Sequence, residues 1–217
     1  PTHPSFPLLP PPACLCRPPA LLLDERGLRV WHKTDATFRV PRAVARAAVS
    51  PAGADASPAA AAVLHAAIRL LEDAMCEEAY LAEVAGLGLA AWPEGRAGFE
   101  LRFDGFSHRL PALVRAVFAG LAALPATIAA RPDAFTRVIE GLARKYRNAN
   151  MRPDRHATFL RLAALKRVWS PEAVLAELEA LTPATLAAAL PPLLADCHVE
   201  LLVQGNMTAG EALALAR

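Results

Sequence analysis

Lysine is nearly absent from this chain: three residues stand against twenty arginines in 217. Beside so much alanine, that imbalance reads as a coding bias toward GC-rich codons and not as arginine-specific recognition. Net charge is only +2, which argues against dedicated nucleic-acid binding by the chain as a whole. The four cysteines (Cys14, Cys16, Cys76, Cys197) are too few and too scattered for a disulfide framework. Cys14-Leu15-Cys16 is too tight and too isolated for a zinc knuckle and reads as an incidental pair in a linker. This usage favours a reducing, intracellular setting. No long apolar run is uninterrupted: Arg115 and Pro125 break the longest, Leu110–Ala130, so no membrane span is expected.

Catalytic patterns are missing as well. The six histidines (His3, His32, His65, His108, His156, His198) never lie three or four residues apart, so no helix offers a pair of imidazoles. There is no Gly-x-Ser-x-Gly elbow, and Gly86-Leu87-Gly88 is too short for a phosphate loop.

What is present is a chain long enough for one sizeable core. Its hydrophobic content is 54%, though alanine supplies much of that figure. Eight prolines fall within residues 1–20, a composition for extended linker, and residues 1–27 read as an interdomain segment ahead of one domain over 28–217. Leu28–Lys33 alternates as a strand, Thr34-Asp35-Ala36 reads as a turn, and Phe38–Ser50 as a longer strand. Ser57-Pro58 supplies an N-cap and a first-turn proline for a helix whose stripe is Val63, Leu64, Ala67, Ile68, Leu71 and Met75. Gly86 and Gly88 mark the exit into a hairpin. Its turn is Pro93-Glu94-Gly95, its apolar face is Phe99, Leu101 and Phe103, and its wet face is Glu100, Arg102 and Asp104.

Helices follow over Leu110–Leu124 and from Arg131-Pro132-Asp133, the second with the stripe Phe135, Val138, Ile139, Leu142 and Tyr146. Shorter ones start at Asp154, Ser170-Pro171 and Thr182-Pro183. Cys197–Gln204 is a last strand and Thr208 opens a last helix. Strands at both ends around a helical block predict an α+β fold, an antiparallel or mixed sheet with helices packed on one face.

Three segments carry a family resemblance: Leu28–Pro41 (LRVWHKTDATFRVP), Met75–Trp92 (MCEEAYLAEVAGLGLAAW) and Cys197–Thr208 (CHVELLVQGNMT). In order and spacing they resemble the insulin-degrading enzyme (insulysin/pitrilysin) family of inverzincin metallopeptidases, in its middle or third, non-catalytic domain. The resemblance implies an αβ sandwich of the insulysin and mitochondrial-processing-peptidase type. It also implies a parent zinc metalloendopeptidase whose zinc sits in an absent N-terminal domain carrying His-x-x-Glu-His. This chain would hold no cofactor and would help to enclose peptide substrates. Its partners would be the parent's other domains and peptides, with neither nucleic acid nor membrane. The absence of an initiator Met is then expected of a fragment. The alternative is a non-enzymatic structural subunit of the same superfamily, like a respiratory bc1 complex core protein.

The helix over residues 61–82 is the place to look for zinc ligands, and it offers only His65. Glu72, Asp73, Glu77, Glu78 and Glu83 read as a solvated acidic face with an Arg69–Asp73 pair, and His65 as a core-edge or surface residue. His198 and Glu200 share a strand face, in a role the resemblance makes structural. The one charge concentration runs from Arg137 to Arg167: Arg137, Arg144, Lys145, Arg147, Arg152, Arg155, Arg161, Lys166 and Arg167 against Glu140 and Asp154. Arg144, Lys145 and Arg147 fall off the apolar stripe of their helix and are the candidates for a basic wall facing substrate or polyanions.

Overall fold

The computed structural model describes residues 18–35, 40–94, 98–165 and 168–217. The proposed linker before residue 18, the pair Cys14 and Cys16, His3, the turn residues Ala36 and Gly95, and Lys166 and Arg167 lie outside the described residues.

Among the described residues six strands form one sheet in the order β1-β2-β6-β3-β5-β4: β1 (Ala20–Glu25), β2 (Leu28–Thr34), β3 (Arg42–Pro51), β4 (Gly88–Glu94), β5 (Gly98–Phe106) and β6 (Cys197–Gly205). The sheet is mixed, because β6 runs parallel to β2 and every other pair is antiparallel. The last strand in sequence thus enters near the centre, with Val203 opposite His32 on one side and Ala45 on the other. Central placement buries both edges of β6, which suits its apolar run Val199, Leu201, Val203.

Eight helices are described: α1 (Pro58–Ala74), α2 (Cys76–Val84), α3 (Leu110–Ala130), α4 (Pro132–Arg147), α5 (Pro153–Ala164), α6 (Pro171–Ala180), α7 (Pro183–Ala195) and α8 (Ala209–Ala216). They pack on one face of the sheet, as the expected α+β class requires. The core lies between that face and α1, α3 and α7: Val30, Ala45, Leu101, Phe103 and Val203 meet Leu64, Ile68, Leu110, Val117, Leu124 and Leu190. The α3 helix is long and apolar enough to cross a membrane by length and composition, and here its stripe Leu113, Val114, Val117, Leu124 and Ile128 is in that core.

Local chemistry sets the boundaries. Ser57 accepts a hydrogen bond from the Ala60 amide at 3.2 Å ahead of Pro58, and Ser170 caps α6 the same way at 3.1 Å from Ala173. Thr182 with Thr185, and Thr208 with Glu211, close reciprocal capping boxes.

Several boundaries differ from the expectations. Ala20–Glu25, inside the stretch read as linker, pairs with β2 as an edge strand, because Leu21–Leu23 supplies apolar residues that the neighbouring prolines do not. Strand β3 starts only at Arg42, since Pro41 lacks the amide a ladder needs. The helix expected over 61–82 is two helices. Met75 leaves helical geometry (φ −93°, ψ 9°) and buries its side chain beneath α3, where a Cβ on Gly120 would stand 2.7 Å from its sulfur. Beyond that break α2 has no buried residue, and Gly86 at φ +77° turns the chain into β4. Helix α3 continues past Leu124 through Pro125 to Ala130. Helix α5 starts at Pro153, with Arg152 and not Asp154 in the cap position, so Asp154 lies in the first turn where a carboxylate suits the helix dipole.

Candidate functional site

The basic run is distributed over α4 and α5, and the structure divides it by the helical period. Successive residues on α4 are 100° apart, so Arg144 and Lys145 face different neighbours. Arg144 and Arg147 flank a shallow hollow with Ile139, Glu140 and Glu179, and Arg147 is ion-paired to Glu179 of α6. Lys145 turns the other way, toward α1 and α5, beside His65 and Arg155. Of the remaining cations, Arg137 pairs with Asp73 at 2.6 Å and Arg152 with Asp154 at 3.0 Å. The Asp73 hydrogen bond and charge hold the Arg137 guanidinium above its ordinary value.

Asp73 corrects one expected pairing. Arg69 binds Glu72, three residues on, while Asp73 receives Arg137 of α4 and Arg131 at the α3–α4 junction, the latter at 3.4 Å. An i,i+3 partner is as close as an i,i+4 partner on a helix, and Asp73 points at the neighbouring helices.

His65 is the core-edge residue that its position on α1 suggests, and it has a partner that spacing alone could not supply. Its Nδ1 shares a hydrogen bond with the Tyr146 hydroxyl of α4, the rings stacked at 12° with centroids 5.9 Å apart. Burial, then the positive charges of Lys145 and Arg69, lower the imidazole pKa to about 4. Burial raises the Tyr146 phenol to about 12. Both groups are therefore neutral at neutral pH. Burial, followed by Arg69 and Arg155, also pushes the Lys145 ammonium below its ordinary value.

The sheet face away from the helices is polar and internally paired. Arg46 reaches Glu100 at 3.3 Å, Arg102 reaches Asp104 at 3.5 Å, and Trp31 Nε1 donates to Glu200 at 2.6 Å. That last bond gives Glu200 its work; His198 lies opposite Ser50. A hollow of about 470 Å³ opens over this face between Arg42, Arg46, Arg102, Asp104 and Gln204.

No group of three His, Cys, Asp or Glu side chains converges as a metal site among the described residues. His65, half-buried, has its Nδ1 occupied by Tyr146, and His32, the fully buried imidazole among the described residues, bonds the Met207 carbonyl at 2.9 Å. This donor set does not fit a zinc ion.

Residues 14–177 match the family described as "Middle or third domain of peptidase_M16". A nardilysin-like protein of Arabidopsis thaliana is 32% identical over 196 residues, 90% of this chain and 19% of that protein. The human insulin-degrading enzyme is 28% identical over 199 residues, 91% of this chain and 19% of its own length. The chain thus spans about a fifth of the length of the curated relatives it matches. Among solved structures, pitrilysin superposes with a TM-score of 0.77 at 22% identity, over 92% of this chain and 21% of that one, which speaks to the fold.

Proposed function

The chain belongs to the middle-domain family of the M16 peptidases, and we propose that it is a non-catalytic domain of an insulysin-like zinc metalloendopeptidase. In this reading it forms part of the half that encloses peptide substrates, and a separate His-x-x-Glu-His domain of the same polypeptide holds the zinc and performs the hydrolysis. The match over residues 14–177 carries the reading. The relatives, about five times longer than the matched region, further support it.

A domain of this kind needs surfaces for its neighbours, and α2 offers one. Tyr80, Leu81 and Val84 are 65%, 66% and 71% exposed on a helix with no fully buried residue, whose Ala82 alone packs against the core. Arg144, Lys145 and Arg147 would add weak attraction for acidic segments. Because charge in solvent is screened within about 8 Å at physiological salt, that attraction acts only at close range.

The test compares this chain with the complete polypeptide that contains it. After dialysis the chain alone should retain no zinc and cleave no quenched fluorescent peptide, whereas the complete polypeptide should show chelator-sensitive cleavage. Near-stoichiometric zinc with cleavage by the chain alone would overturn the non-catalytic assignment. A complete polypeptide that cleaves nothing would favour a structural, non-enzymatic member of the superfamily.

A further inference from the structure

Between α1, α4, α5 and the start of α6 lies a cavity of about 310 Å³. Its walls are mainly apolar, with Phe159 and Leu162 from α5 and Val174 from α6. The polar pair inside it, His65 and Tyr146, is satisfied internally by one hydrogen bond. Neither member carries charge at neutral pH, so the pair gives a ligand no ionic anchor.

The charge is supplied by Lys145 on α4 and Arg155 in the first turn of α5. Nearby cations have carboxylate partners: Arg69 has Glu72, Arg137 has Asp73, Arg147 has Glu179 and Arg152 has Asp154. Among the described residues, Lys145 and Arg155 form no such pair. Glu72, whose charge acts on Lys145, is already held by Arg69. Like charges gathered at the edge of an apolar space repel one another, and Lys145 is also partly desolvated there, a cost that a bound anion relieves.

An apolar cavity with unpaired cations beside it fits a molecule with one apolar and one anionic part. We propose that this cavity binds a small amphipathic carboxylate, its apolar skeleton against Phe159, Leu162 and Val174 and its carboxylate on Lys145 and Arg155. The size agrees: the volume is at the lower end of the roughly 300–1,000 Å³ typical of small-molecule sites, enough for an aromatic or medium-chain acid. Arginine and lysine together suit a carboxylate, one as a planar fork and the other as a point charge. The proposal stands apart from the peptidase reading, because it concerns binding by this chain itself.

Three probes separate the two parts of the recognition: 4-(trifluoromethyl)benzoate, the uncharged 4-(trifluoromethyl)benzyl alcohol, and acetate. Binding to the folded chain is read by fluorine or proton NMR titration. The benzoate should bind about tenfold or more tightly than the alcohol, and acetate should not bind over the same range. Lys145→Met/Arg155→Met, at two exposed positions, should weaken the benzoate at least tenfold and leave the alcohol unchanged. Thr158→Trp, also from an exposed lining position, should fill the space and weaken both. Benzoate binding that is equal in wild type and the double variant, or that acetate matches, would overturn the proposal. So would the absence of benzoate binding at millimolar concentration.

Discussion

The two sides of the helical layer are built on different principles. Against the sheet, α1 and α3 bury continuous apolar stripes, and the side chains between them (Leu101, Phe103, Leu110, Leu124) are completely or almost completely enclosed. At the periphery α2 and α5 have no fully buried residue, although both are well-formed helices. α5 adds charge, with Arg155 and Arg161 exposed. Stability resides in the inner layer, and function has room outside it. The inner layer is a packed solid whose residues are fixed by volume, whereas the outer helices are held by a few contacts and leave surface for neighbours and ligands.

The sharpest test of this contrast is a pair of truncations. Phe103 is fully enclosed in the core, so Phe103→Ala should cost about 3–5 kcal/mol through lost burial and the cavity left behind. Leu160 on α5 is 53% exposed, and Leu160→Ala should change stability by less than about 0.5 kcal/mol. Urea unfolding of the two variants measures both. Comparable losses would show that the outer helices belong to the same packed unit, and the contrast would fail.

His65 sits where the two regions meet, and its effect is next in size. Its native pKa of about 4 is below the ordinary 6.5, so between those values the unfolded chain binds a proton that the native chain refuses. Stability should therefore be complete above pH 6.5 and fall as the pH drops toward 4, at about 1.4 kcal/mol per pH unit from this one group. The total is on the order of 3 kcal/mol. The groups facing the imidazole are Tyr146, Lys145 and Arg69, and none of them compensates a new positive charge. His65→Gln should flatten the acid limb of the stability curve relative to wild type. Parallel curves between pH 4 and 6.5 would mean that the imidazole takes its proton without cost.

Much of the inner layer was legible in the sequence because its signals are periodic and local. The alternation of Phe99, Leu101 and Phe103 against Glu100, Arg102 and Asp104 states which face of β5 is wet, and Ser57-Pro58 and Thr182-Pro183 announce helix starts. The outer region was less legible because its geometry depends on partners distant in sequence. The break at Met75 follows from Gly120 on another helix, and the choice of Glu72 over Asp73 follows from where Arg131 and Arg137 arrive. His65 and Tyr146 are 81 residues apart, so no spacing rule joins them. Arg144, Lys145 and Arg147 are visible as a cluster in sequence, yet the helical period sends Lys145 to one side and its neighbours to the other. The cavity beside Lys145 left no sequence pattern, since four elements contribute a few ordinary residues each.

The weakest contrast is between two ionic contacts that differ in placement. Asp73, with only 22% of its side chain exposed, receives Arg137 at 2.6 Å and Arg131 at 3.4 Å, and so ties α1 to the junction of α3 and α4. Glu179 and Arg147 are 48% and 59% exposed and join only α6 to the end of α4. Partial burial weakens solvent screening around Asp73, and two cations share its single charge, whereas a pair in open solvent contributes roughly 0–1 kcal/mol. Asp73→Asn should therefore lower stability by about 1 kcal/mol, a loss that shrinks in high salt, while Arg147→Gln should be hard to measure at any salt. Thermal unfolding at low and high ionic strength compares them directly. If Arg147→Gln proves as costly as Asp73→Asn, the α4–α6 contact belongs to the rigid part of the domain, and the boundary between packed interior and adaptable surface moves outward to include it.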